Sequence, residues 1–328
     1  MSPSKSDLEA VRQLIESAES ISIAAHVRPD ADSIGSSLAL ARGLRLLGKR
    51  VVVLSDGGVP ETCEYLPEAD TVLTATDERG FDIGIICDSD GLDRIGASRE
   101  AIESSKSYLV IDHHASERKL DSAKETIYLT DTLAAATAEV VFHLLHDCNI
   151  MPDLNIARQL MAGLVGDTGG FRFSNVTSET LEIASRLAMD GATPGEAARE
   201  IYENRSLVNA RLLGVVLAGF EVSDDGKIVW SRITQQDFKK YNATDADTES
   251  IVNQLRGIKG AKAAVLFREV EPGVIQISLR SRDGVDVNRV AGKFGGGGHA
   301  SAAGCTIRKS LKEAEESVLA EVRACMES

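Results

Sequence analysis

The chain has 328 residues, 43% of them apolar, with 36 Lys+Arg against 50 Asp+Glu for a net charge of −14. That length exceeds a usual single domain and the apolar share supports sizeable cores, so a disordered chain is excluded and two domains are expected. The acidic balance excludes strong phosphate-contact binding of a long polyanion, but not a short phosphorylated molecule held locally. Cys63, Cys87, Cys148, Cys305 and Cys325 are odd in number and scattered, without a C-x-x-C pair. This disfavours a disulfide framework or a structural zinc site and fits a reducing compartment. The N-terminus lacks an apolar signal core, and the best apolar window, 133–145, carries Glu139 and His143. A soluble, cytoplasmic protein with no membrane segment is the expectation.

Residues 7–20 place Leu8, Val11, Leu14, Ile15 and Ala18 at helical spacing. Ile21 to Ala25 reads as a buried strand, and Ile34, Leu38, Leu40, Ala41, Leu44 and Leu47 mark a helix over 33–47, capped by Asp32 or Ser33 and ended by Gly48. Between strand and helix lie His26, Arg28, Asp30 and Asp32, and Pro29 keeps them on a loop. An imidazole and two carboxylates at such a turn suit a hard or borderline divalent cation. Strands follow at 51–54, at 81–87 ending at Asp88, and at 108–111 ending at Asp112, with a turn-rich stretch over 59–79 and a helix over 97–105. Strands apolar throughout, alternating with helices, indicate an α/β fold with a doubly wound parallel sheet covered on both faces. Helical patterns occupy 132–147, 155–165 and 178–190, and Gly191 and Pro194 precede a further helical stretch over 195–218. From about 220 the pattern becomes α+β: a hairpin through Asp224-Asp-Gly-Lys, a helix around 248–257, a second hairpin over 263–281 through Glu271-Pro-Gly, the segment 286–294, a glycine-rich turn and a helix over 310–326. The expected layout is a sheet domain over 1–190, a helical linker over 191–219 and a smaller α+β domain over 220–328.

Open parallel sheets bind ligands at the carboxyl ends of their strands. There this sequence sets His26 after the first strand, Asp88 after the third and Asp112-His113-His114 after the fourth, while Asp167 ends a helix in Gly166-Asp-Thr-Gly-Gly. Together they form a natural dinuclear site, in which one bridging carboxylate holds two cations roughly 3.5–4 Å apart for in-line attack of a hydroxide on phosphorus. Asp56 also follows a strand but lacks neighbouring ligands and reads as a turn residue; Asp88 is preferred to Asp90 because it directly follows the apolar run. A second feature is Phe294-Gly-Gly-Gly-Gly-His-Ala-Ser. Four glycines allow a nest of backbone N–H groups around an anion. A glycine run usually means a flexible turn, but His299 and the alternating Arg280 and Arg282, placed to clamp a phosphate, weigh against that.

In combination these segments resemble the DHH phosphoesterases, in the subfamily with a DHH-associated C-terminal domain (DHHA1), and within it the nanoRNase/3′-phosphoadenosine-5′-phosphate phosphatase branch. His26-Val-Arg-Pro-Asp-Ala-Asp-Ser-Ile-Gly-Ser is similar to the first family motif, Asp88 with Arg94 to the second, Asp112-His-His to the third and Gly166-Asp-Thr-Gly-Gly-Phe-Arg-Phe-Ser to the fourth; Gly295-Gly-Gly-Gly-His is similar to the signature of the C-terminal domain. The resemblance implies one manganese on His26, Asp30 and Asp88, and a second on Asp32, Asp88, His113 and Asp167, with Mg²⁺ or Co²⁺ as alternatives. It implies that His114 sits beside the scissile phosphate as an electrostatic or proton-donating group, with Asp88 and Arg94 also counted as catalytic. Arg28, Asp112, Arg280, Arg282, Gly295, Gly296, Gly297, Gly298 and His299 are counted as substrate contacts. Arg28 stands where the family commonly has Asn, and Ala31 where Gly is frequent. The implied activity is hydrolysis of short oligoribonucleotides, linear dinucleotides or 3′-phosphoadenosine 5′-phosphate, with no long duplex as partner; a homodimer is compatible with the sequence. Alternatives are a cyclic-dinucleotide phosphodiesterase, a RecJ-like single-strand exonuclease, which the acidic charge disfavours, an inorganic pyrophosphatase, which lacks the glycine signature, and a non-catalytic scaffold, which would tend to lose metal ligands that are all present here.

Overall fold

The computed structural model describes residues 5–115, 120, 124–282 and 284–327, and the chain divides into two units, 1–204 and 205–328. In the first, helix Lys5–Ser17 (α1) leads into strand Ser20–Ala24 (β1), helix Ala31–Leu46 (α2) and strand Arg50–Leu54 (β2). Then come Ile83–Cys87 (β3), the short helix Arg99–Glu103 (α3), Ser107–Asp112 (β4) and Thr126–Thr130 (β5). Helices Thr137–Asp147 (α4), Leu154–Asp167 (α5), Ser178–Met189 (α6) and Pro194–Ala198 (α7) follow, the last running on into a π-helical turn over Arg199–Glu203.

All five strands are parallel, in the order β2-β1-β3-β4-β5. Alternate residues face opposite ways along a strand. Ile21, Ile23, Ile83, Ile85, Leu109 and Ile111 therefore enter one core with α1, α4 and α5, while Ala24, Ile86 and Val110 meet Ile102 of α3 on the other face. The chain runs from β1 to β2 on one side and then crosses from β2 to β3 on the other side of β1, so the carboxyl ends of β1 and β3 flank the switch point, where a crevice opens in sheets of this order. The loops leaving these two strands are tied there by Val27 N–H donating to the Arg94 carbonyl (2.6 Å).

Two local expectations give way. The cap of α2 is Asp30, which accepts the Asp32 and Ser33 amides, rather than Asp32 or Ser33. The pattern that suggested a helix from 132 includes a turn in which Asp131 accepts the Leu133 and Ala134 amides, so α4 begins only at Thr137. Strand β5 has no counterpart in the sequence reading, because an edge strand with half-buried side chains, Thr-Ile-Tyr-Leu-Thr, lacks a continuous apolar run.

The stretch 191–219 is split at Asn204–Ser206, and its last helix, Leu207–Ala218 (α8), packs Leu212 and Val216 into a core of the second unit. That unit continues with Glu221–Val222 (β6), Ile228–Ile233 (β7), Gln235–Tyr241 (α9), Ile251–Arg256 (α10), Ala263–Glu271 (β8), Val274–Ser281 (β9), Val287–Gly292 (α11), Gly297–His299 (β10), Ala302–Arg308 (β11) and Leu311–Glu327 (α12). Its sheet runs β10-β11-β9-β8-β7-β6, antiparallel except for the β7–β8 pair. Ile275, Ile277 and Leu279 pack with residues of α11 and α12, which leaves Gln276, Ser278 and Arg280 on the opposite face.

Helices α2 and α5 approach closely at Gly35, where an added Cβ would stand 2.3 Å from the Gln159 carbonyl oxygen. A backbone atom cannot swing away as a side-chain tip can, so the helices themselves must part. Gly35→Ala is expected to lower unfolding stability by about 1–3 kcal/mol, read from urea denaturation; an unchanged midpoint would contradict this packing.

Candidate metal centre

Three groups of His and Asp side chains lie close enough together in the first unit to hold a cation: His26, Asp30 and Asp88; Asp32, His113 and Asp167; and Asp88, His113 and His114. All stand where the crevice was expected. Asp88 is the hinge between the groups. It follows β3 directly, in a left-handed conformation (φ 59°), 2% exposed. Its Oδ2 lies 3.4 Å from His26 Nε2, while its Oδ1 lies 3.8 Å from His113 Nε2. Asp90 joins none of the groups, and Asp56 accepts the Ala97 amide, as a turn residue does.

The donor chemistry fits cations. His26 Nδ1 meets the Val27 carbonyl at 2.9 Å and His113 Nδ1 meets the Ala134 carbonyl at 3.3 Å. A carbonyl only accepts, so each neutral ring carries its proton on Nδ1 and turns the Nε2 lone pair toward carboxylates. This second hydrogen bond is the usual setting of a metal-ligating imidazole. His113 Nε2 is buried without a hydrogen bond of good geometry, although Asp167 Oδ2 is 3.1 Å away. A lone pair facing an anion is repulsive unless a proton or a cation lies between.

The same crowding shows in the ionisation of the groups. Burial alone would lower His26, but the hydrogen bond to Asp88 and the charges of Asp30 and Asp88 outweigh it and push the imidazole up to about 9. His113 is pushed up to about 10, Asp167, Asp32 and Asp88 together outweighing its burial. Burial, then Asp88 and Asp167, hold the Asp32 carboxyl well above its ordinary range.

Asp30 uses one oxygen to cap α2 and presents the other 3.8 Å from His26 Nε2. Asp167 ends α5, whose last carbonyls, Val165 and Gly166, are held by the Tyr202 hydroxyl (2.8 and 3.0 Å). Asp112 is 2% exposed and spends Oδ1 on the amides of His113 and His114 and on His114 Nδ1 (2.6 Å). That geometry orients His114 and makes Asp112 ill placed for the substrate contact expected of it. Arg28 and Arg94 are exposed, with no ion pair among the described residues, and Arg28 has a positive φ (55°).

In the second unit Arg280 projects from β9, with Asn253 Oδ1 at 3.2 Å and the Leu279 carbonyl at 3.0 Å. It has no carboxylate partner among the described residues; burial, with Arg256 and Arg268 nearby, lowers it to about 10. Arg282 lies one residue past the strand and is exposed. The glycine run is not an open nest of four donors. Gly295 and Gly296 donate to the Gly292 and Ala291 carbonyls, and 297–299 pairs with β11 as an edge strand. Gly296 is needed for closeness: a Cβ there would stand 2.1 Å from the Gly304 carbonyl oxygen. The side chain of His299 lies outside the described residues.

Sequence reading missed the donors behind the carboxylates, namely the amides of Thr137 and Ala138, the Thr137 hydroxyl and the Ser36 hydroxyl. The only signal was the absence of a side-chain cap before α4.

Fold and site together define a doubly wound α/β protein with a carboxylate–imidazole centre at its switch point, followed by a mixed-sheet unit. The DHH family N-terminal domain matches residues 20–164, and the DHHA1 domain matches residues 225–328. The bifunctional oligoribonuclease and PAP phosphatase NrnA of Thermus thermophilus is 31% identical over 319 residues, covering 96% of this chain and 93% of that protein. Its namesake in Bacillus subtilis is 30% identical over 287 residues, 86% and 87% of the two chains. A cyclic-di-AMP phosphodiesterase PdeA of Listeria monocytogenes is 23% identical over 337 residues, covering 96% of this chain but 49% of PdeA. Among solved structures, an exopolyphosphatase-related protein from Bacteroides fragilis superposes with a TM-score of 0.90 at 27% identity, covering 98% of this chain and 96% of that one. The chain belongs to the DHH/DHHA1 phosphoesterase family and is a hydrolase of phosphate esters. Among the described residues no helix is long and apolar enough to cross a membrane.

The raised histidines give a pH signature. Each pKa lies above the ordinary 6.5, so in the cation-free protein their protonation stabilises the fold fully below that pH, and the gain is lost as pH rises through about 9 and about 10. The melting temperature of chelator-treated protein is expected to fall across this window. A divalent cation held at these groups would offset the fall increasingly as pH rises, because imidazole ligates only when deprotonated. A flat profile in chelator would contradict the assignment.

Proposed function

We propose that this chain is a Mn²⁺-dependent phosphoesterase that hydrolyses short oligoribonucleotides, linear dinucleotides and 3′-phosphoadenosine 5′-phosphate at a two-cation centre. The observation that carries this reading is the Asp88 carboxylate, whose two oxygens face different groups. In this reading His26, Asp30 and Asp88 would hold one cation, and Asp32, His113, Asp167 and Asp88 the other. Such a pair supplies charge neutralisation at the phosphoryl oxygens and an acidified water at neutral pH. Imidazole with carboxylate suits Mn²⁺, and also Mg²⁺ and Co²⁺ less selectively.

The chain's own residues supply the rest. Asp112 holds His114 by Nδ1 and orients its ring, and His114 acts beside the scissile phosphate as an electrostatic or proton-donating group. Arg28 and Arg94, exposed beside the cluster, take non-bridging phosphate oxygens. On the second unit, Arg280 has no carboxylate partner among the described residues and suits a phosphate; Arg282, Gly295, Gly296, Gly297, Gly298 and His299 are the further substrate contacts of this reading. The activities for which the Thermus and Bacillus relatives are named agree with a short RNA or a nucleoside bisphosphate as substrate. The net charge of −14 works against long strands.

The test is turnover with Mn²⁺ of a panel containing a diadenylate, a 5-mer and a 24-mer RNA, 3′-phosphoadenosine 5′-phosphate, cyclic di-AMP and pyrophosphate, resolved by chromatography. The dinucleotide and the bisphosphate are expected to turn over fastest and the 24-mer slowest. Preference for the 24-mer would instead indicate a RecJ-like exonuclease, and preference for cyclic di-AMP a PdeA-like enzyme. Asp88→Asn should lower kcat by at least about 100-fold, more than an outer-shell change would. Arg280→Ala should raise KM about tenfold or more, as loss of a charged hydrogen bond does, with kcat little changed; a fall in kcat at constant KM would remove Arg280 from substrate binding.

A further inference from the structure

Helix α4 starts without a cap of its own. Its N-cap, Ala136, offers no side-chain acceptor, and the first amides donate instead to Asp32 of α2: Thr137 N–H to Oδ2 (2.6 Å) and Ala138 N–H to Oδ1 (3.0 Å). Asp32 is fully buried and takes the Ser36 hydroxyl as well (3.0 Å). Behind it stands Gly163, where a Cβ would lie 2.5 Å from Asp32 Oδ1.

Thr137 also reaches the second carboxylate. Its hydroxyl donates to Asp88 Oδ1 at 2.8 Å, and the residue is fully buried. A threonine at the start of a helix ordinarily serves that helix, but this one turns its hydroxyl to a neighbouring strand end. One residue thus holds the two carboxylates by two different groups, amide to Asp32 and hydroxyl to Asp88. A carboxylate on a single Cβ is otherwise free to rotate about its terminal torsion, which is broad. The hydroxyl bond engages Oδ1, from which His113 Nε2 lies 3.8 Å and His114 Nδ1 3.7 Å away, while Oδ2 faces His26 Nε2 at 3.4 Å.

We infer that Thr137 is a positioning residue for the cation centre: it fixes the rotation of the Asp88 carboxylate and couples it to Asp32, so that the cation on the Asp32–His113–Asp167 side depends on a hydroxyl that never touches it. The inference rests on the two-cation reading above, and the experiment separates the two.

Mn²⁺ binding is titrated by the electron paramagnetic resonance signal of free Mn²⁺ for the wild type and for Thr137→Val, Thr137→Ala and Thr137→Ser. The wild type is expected to bind two Mn²⁺. The valine and alanine variants keep the amide and lose the hydroxyl; each is expected to keep one Mn²⁺ at wild-type affinity and bind the other about tenfold more weakly, with kcat lowered and KM unchanged. The serine variant, which keeps the donor, is expected to match the wild type. Two sites of wild-type affinity in both the valine and the alanine variants would overturn the inference and leave the two-cation reading standing. Equal losses in serine and valine would also overturn it, by making bulk rather than the hydroxyl the cause. A wild type that binds no Mn²⁺ would overturn both.

Discussion

The structure depends on neutralising the negative charge gathered at one end of a sheet. Asp30, Asp32, Asp88 and Asp167 converge there, with Asp32 and Asp88 almost wholly out of water, and the bases among them are His26, His113 and His114. Removing an ion from water costs several kcal/mol even after relaxation. The chain meets part of that cost with fixed donors, namely backbone amides and hydroxyls, which cannot cancel a net charge. The remainder falls to protons on the histidines or to bound cations, and the raised histidines are the physical sign of that demand.

The fold supplies the gathering point because of its strand order. Placing β3 on the far side of β1 from β2 opens the crevice between the loops at 25–30 and 88–95. Helix ends then do the fine placement. Asp30 caps α2, Asp32 serves as the cap that α4 lacks, and Asp167 leaves α5 at a C-terminus held by Tyr202. The partial positive charge of a helix N-terminus favours each of the first two carboxylates, so elements that stabilise the fold also prepare the site. In the second unit, closeness takes the place of charge: Gly296 against Gly304 lets an edge strand lie flat beside β11, near the register position of Arg280 opposite Ala302.

Much of this was legible in the sequence. Strands buried on both faces leave continuous apolar runs, so β1, β3 and β4 and the polar residues at their ends could be read directly, and His26, Asp88 and His113 fall together as expected. The half-exposed edge strand β5 left no such run. The cap of α2 was misplaced by two or three residues because Asp30, Asp32 and Ser33 are all competent caps and only the backbone angle at Asp30 decides. Thr137 was invisible for a deeper reason: its function is a contact 105 residues back to Asp32 and 49 back to Asp88, which no local pattern encodes. The glycine run misled in the opposite sense, since the same composition serves an anion nest and a tightly packed edge.

The central claim is that one carboxylate, Asp88, joins two cations. Electron paramagnetic resonance of the protein loaded with two equivalents of Mn²⁺ tests it most directly, because ions about 3.5–4 Å apart through a shared ligand couple magnetically. The account predicts a multiline, exchange-coupled spectrum that Asp88→Asn abolishes. Two independent six-line signals in the wild type would contradict it.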